Sequence, residues 1–171
     1  MIRTLLIAAL LAAPGLAVAQ PKPPPPACTD PAHHAFDFWI GRWDVTNTKD
    51  GKAAGQSVIE ALYQGCTIRE NWSEPGYAGG SLNTYDAATG KWRQTRTDSA
   101  NTWREFVGGM DGGKMVLVAR RAAKADPSKM MLERMIFTPN PDGSVRQYSD
   151  ASTDDGKTWT ERYDYTYRKA K

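Results

Sequence analysis

The 171-residue sequence predicts an all-β chain: a single up-and-down antiparallel β-barrel of about ten strands behind a short N-terminal helical turn. Three observations carry that reading. Short runs alternate apolar and polar side chains, the period-two pattern of a strand with one buried face. Asp-Gly, Pro-Gly and Gly-Gly pairs punctuate the runs at hairpin spacing. Six Trp and seven Tyr enrich the chain in residue types that favour strands.

The N-terminus reads as an export signal. Met1 to Thr4 carries one positive side chain, Leu5 to Leu11 is an unbroken apolar run, and Ala17-Val18-Ala19 ends it with small residues. This is the pattern of a signal peptide over residues 1–19, cleaved before Gln20. Pro14-Gly15 interrupts the run well short of the roughly 20 apolar residues a membrane span needs. Cys28 follows Pro25-Pro26-Ala27 rather than an apolar segment, which is the wrong context for a lipid anchor. The expected destination is therefore the periplasm or the medium. Residues 20–30 form a Pro-rich linker in extended polyproline geometry, leaving 31–171 as one barrel domain.

Two cysteines in an exported chain predict one disulfide, Cys28–Cys66, which pins the arm to the barrel. Pro31 to Phe38 reads as a helical turn with Asp30 as N-cap and Pro31 at the first position. Ten strands follow, over 42–49, 56–64, 66–74, 80–85, 91–98, 102–107, 114–121, 129–138, 145–152 and 157–168. Closing such a meander removes the two exposed edges of an open sheet. A two-sheet sandwich is the competing architecture, and the regular short connections favour the barrel.

The net charge of +3 is spread without a basic block, so composition gives no nucleic-acid partner. His33 and His34 are the only histidines and sit side by side on the arm, a poor metal set when three or four converging ligands are needed. No metal, haem or other cofactor is expected. No G-x-S-x-G elbow occurs, and no catalytic residue is assigned.

Two segments are more specific. Ser152 to Trp159 fits the S-x-D-x-G-x-x-W spacing of an Asp-box, a hairpin in which Asp154 caps the turn and Trp159 packs beneath it. One copy in a short chain is expected to be structural. The other segment, Phe36-Asp37-Phe38-Trp39-Ile40-Gly41-Arg42-Trp43-Asp44-Val45, places Gly41-x-Trp43 at the start of the first strand. This opening resembles that of lipocalins and their calycin relatives. The resemblance implies that Trp43 plugs one end of the barrel under an arginine from near the last strand, a position held by Arg168. The longer pattern is similar to a family of exported bacterial lipocalin-like proteins of unknown function. It runs through Gly65-Cys66, Glu70, Trp72, Gly80-Ser81-x-Asn83-x-Tyr85, Trp92-x-Gln94, Asp98, Val145-Arg146-Gln147 and Asp155-Gly156-Lys157-x-Trp159. Arg96 departs from it, standing where the resemblance implies an aromatic ring.

Period two then groups candidate binding residues. Glu70 and Trp72 share a face, as do Asn83 and Tyr85; Trp92, Gln94, Arg96 and Asp98 share another, and Gln147 lies on a fourth strand. If these faces point inward, polar groups stand among aromatic rings in the lumen. They then pair with each other, with water or with a polar ligand, because a buried unpaired group costs roughly 1–3 kcal/mol. The alternatives are that they face solvent or form a filled structural network. The leading expectation is a small, partly polar ligand oriented by Glu70, Arg96 and Gln147 against Trp72, Tyr85 and Trp92. Behind it stand an envelope protein-interaction module and a hydrolase or isomerase using Glu70 and Asp98 as an acid/base pair.

Overall fold

A computed structural model describes residues 28–123 and 126–171. The expected signal peptide and the Pro-rich stretch up to Ala27 lie outside the described residues. Ten antiparallel strands, each paired with its sequence neighbours, close where β1 (Gly41–Asn47) meets β10 (Thr160–Lys169). Between them run β2 (Ala53–Leu62), β3 (Thr67–Glu74), β4 (Tyr77–Asp86), β5 (Lys91–Asp98), β6 (Trp103–Asp111), β7 (Lys114–Ala122), β8 (Met130–Pro139) and β9 (Val145–Ser152). Alternation builds the wall: in β8, Met131, Glu133, Met135 and Phe137 are buried while the residues between them are more open.

One end of the barrel is filled. Phe36 and Trp39, both fully buried, stack at 5.0 Å, and Phe36 meets Trp92 and Phe137 edge-on. Trp43 Nε1 donates to the Trp39 carbonyl at 2.9 Å, tying the plug to β1. The Cys28–Cys66 disulfide holds the arm from its other side. Asp30 caps the turn as expected, accepting from the backbone N–H of Ala32 and His33. Beyond the cap the arm is a chain of turns and one 3-10 segment, Asp37–Trp39, rather than an α-helical turn.

Two expectations need correction. The cation over Trp43 is Lys169, not Arg168: Lys169 Nζ lies 3.8 Å from the ring centroid and donates to the Ile40 carbonyl at 2.8 Å. Tyr163, Tyr165 and Tyr167 face inward, so period two turns Lys169 to the ring and Arg168 outward into solvent. Gly108-Gly109 is not a turn either. β6 continues through it to Asp111, and a Cβ at Gly108 would sit 1.9 Å from the Val116 carbonyl oxygen, so the glycine serves close strand pairing.

Candidate binding cavity

The filled end leaves the other end of the lumen less crowded, and a cavity of about 190 Å³ lies there. Its wall comes from β3, β4, β5, β8, β9 and β10. Five of the nine expected residues line it: Glu70, Trp72, Gln94, Arg96 and Gln147. Asn83 is buried beside the lining, bonded to Ser81 and Gln94, and Asp98 is at the rim outside the lining. Tyr85 and Trp92 belong to the filled end, where Tyr85 packs against His33 at 5.0 Å and Trp92 against Phe36. They supply core, and the cavity takes its rings from elsewhere.

Those rings are on β10. Trp72 stacks on Tyr165 at 5.9 Å and 16°, and Tyr165 stacks on Tyr163 at 4.8 Å and 18°. Tyr77, Tyr167, Met135, Glu74 and Gly80 complete the lining that the sequence reading missed. The tyrosine alternation was visible, but its register was not. Only the pairing Tyr165↔Gln147 and Tyr163↔Ser149 sets these rings beside the polar wall. Tyr77 went unnoticed because it follows Pro75-Gly76, ahead of the expected strand start.

The polar groups differ in how fully they are used. Glu70 is buried and accepts from Ser57 Oγ at 3.2 Å and Ser81 Oγ at 3.1 Å. Burial raises its pKa against the opposing pull of Arg96 and the two hydroxyls. Gln147 is committed to the scaffold: its Oε1 accepts from Tyr167 Oη at 2.5 Å and its Nε2 donates to Tyr163 Oη at 3.3 Å. Burial pushes the Tyr163 phenol up to about 12, so it stays a neutral hydroxyl near neutral pH.

Asp98 is also committed. Burial acts to raise its pKa, but bonds from Thr102 and Tyr77 prevail and hold it at about 2. Tyr77 Oη donates to it at 2.7 Å, and Thr102 bonds it through both backbone N–H and hydroxyl. Glu70 and Asp98 are both on inward-facing positions, yet Glu70 pairs across to Ser81 and Asp98 to Gly79, one layer nearer the rim. Asp98 is not part of the lining of the cavity to which Glu70 belongs.

Three arginines point inward near this end. Arg104 and Arg121 share Glu133, at 3.4 and 3.3 Å. Arg96 forms no ion pair with any described residue, and its guanidinium makes one long hydrogen bond, 3.4 Å to Tyr77 Oη. Tyr163, Glu70 and Tyr77 favour its charged form more than burial opposes it.

The remaining motifs are structural. In the Asp-box, Asp154 accepts from Ser152 Oγ, Thr158 N and Thr158 Oγ1, while Trp159 Nε1 donates to the Gly156 carbonyl at 3.0 Å. Arg134 lies 4.0 Å over the Trp159 ring. His33 and His34 each bond a neighbouring carboxylate, Asp30 and Asp37, and no group of three metal-ligating side chains converges among the described residues. No helix among those residues is long and apolar enough to cross a membrane. No protein-family model matches the chain, and no curated protein is significantly similar to it.

Proposed function

We propose that the chain is an exported lipocalin-like barrel that holds a small, partly polar ligand in the cavity opposite its plug. The supporting observation is a cavity of about 190 Å³ walled by stacked rings with a half-buried arginine among them that forms no ion pair with any described residue. A lumen meant only to be filled would close that space with side chains, as the Phe36–Trp39 end does. Binding sites combine apolar contact area with a few placed polar groups, and this wall has both. The F-D-F-W-x-G-x-W-x-V opening and the signal-like N-terminus support membership of the exported bacterial lipocalin-like family. The disulfide suits an oxidising compartment.

Native mass spectrometry of the purified protein, followed by extraction, tests the binding role. A stoichiometric small molecule is the expected result, and its addition back should change Trp72 fluorescence in the wild type but not in Trp72→Phe. Protein that carries nothing and responds to no compound in a metabolite extract would overturn the reading. Export is checked separately by N-terminal sequencing of the periplasmic protein, which should begin at Gln20.

A further inference from the structure

We propose that the cavity selects a small planar carboxylate bearing a hydroxyl at its far end, the carboxylate on Arg96 and the hydroxyl donating to Gln94 Oε1. This rests on the binding role proposed above and names the chemistry of the ligand.

The Gln94 end follows from a chain of hydrogen bonds. Asn83 Nδ2 donates to the Ile68 carbonyl at 3.1 Å and to Ser81 Oγ at 3.0 Å, which leaves Asn83 Oδ1 as the acceptor facing Gln94. Gln94 Nε2 fills that acceptor at 2.7 Å. The amide is thereby oriented, and its Oε1 is buried with no partner among the described residues. Gln94 is 2% exposed and lines the cavity, while its Oε1 has almost no accessible surface, so a donor arriving from the cavity reaches that oxygen as the amide turns toward it.

The Arg96 end follows from charge. Its two inward neighbours in kind, Arg104 and Arg121, each have a carboxylate in ion-pair range, the shared Glu133, while Arg96 has none among the described residues. A guanidinium presents paired N–H groups that match a carboxylate. Glu70 and Glu74 also line the space, so each further negative charge on a ligand adds repulsion that the single Arg96 has to offset, which favours a monoanion over a doubly charged phosphate.

Geometry joins the two ends. Gln94 and Arg96 are two residues apart on one face of β5, about 7 Å along the strand. That spacing suits one aromatic ring with its acid and hydroxyl at opposite ends. The Trp72–Tyr165–Tyr163 stack offers planar contact area beside it, and the volume limits the ligand to about one ring.

Isothermal titration with 4-hydroxybenzoate, benzoate and 4-hydroxybenzyl alcohol tests the assignment on the full mature chain. The hydroxy acid should bind best, with the alcohol about tenfold weaker and benzoate several-fold weaker. Arg96→Met should erase the preference for acid over alcohol, and Arg96→Lys should keep part of it, with circular dichroism confirming that both fold. Equal affinity for acid and alcohol would overturn the ligand class while leaving the cavity's binding role intact. If none of the three binds, the molecule extracted from the purified protein decides: a neutral compound refutes the class, and a hydroxylated carboxylate supports it. No binding together with nothing extracted would sink the binding role itself.

Discussion

Lys169 and Arg168 are adjacent cations with opposite orientations, and their difference is measurable. Lys169 covers Trp43 and bonds the Ile40 carbonyl, so Lys169→Ala should cost about 1 kcal/mol in urea unfolding. Arg168 is exposed and forms no ion pair with any described residue, so Arg168→Ala should stay within about 0.5 kcal/mol of wild type. Glu70 gives a pH-dependent case. Its folded pKa lies above the ordinary 4.5 because of burial, so the fold holds its proton more tightly than the unfolded chain does. Its contribution is most favourable below the unfolded value and declines as pH rises through the folded one. Glu70→Gln should therefore gain stability relative to wild type between pH 4 and pH 8, with urea midpoints converging on the acid side; a constant offset across that range would refute the assignment.

At the scale of elements, alternation alone located ten strands, because a strand with one wet face writes its period into the sequence. Their ends were less legible. β2, β4 and β10 differ from expectation by three residues at their starts, where pairing with a neighbour rather than local composition decides. Glycines were the weakest signal. Gly80 stands in β4, where a Cβ would lie 2.4 Å from the Glu70 carbonyl oxygen; Gly80→Ala should thus destabilise by about 1–3 kcal/mol and disturb the cavity wall. The Asp-box hairpin makes a contrasting prediction. Hydrogen bonds from Thr158 and Ser152 hold the Asp154 carboxyl well below the ordinary range. The stability it supplies is present above 3.8, the unfolded value, and is lost as pH falls below it. Asp154→Ala should lower the thermal midpoint at pH 7 and leave ligand binding unchanged, since the hairpin does not line the cavity.

For the whole molecule, closure matters most: each strand has two neighbours, so the barrel presents no open edge. The plug and the disulfide then decide which end is filled. Cys28 and Cys66 are 38 residues apart, and a loop of that length stabilises by roughly 3–4 kcal/mol. The Cys28→Ser, Cys66→Ser double variant should lose about that much in guanidinium unfolding, while residual folded protein keeps its cavity, which the arm does not touch. Loss of binding in a variant that remains folded would place the arm in the site after all.

The barrel and the cysteine pairing were legible in the chain alone, because binary pattern, turn chemistry and an even cysteine count act locally or admit one answer. Five lining residues were legible too, since period two assigns faces within a strand. Which end of the lumen is filled emerged only on folding, and it moved Tyr85 and Trp92 from ligand contact to core. Folding also decided which strands face each other, setting the β10 tyrosines across from Glu70 and Arg96. The physical reason is that facing across a closed barrel depends on register summed over ten strands, and no local stretch of sequence contains that sum.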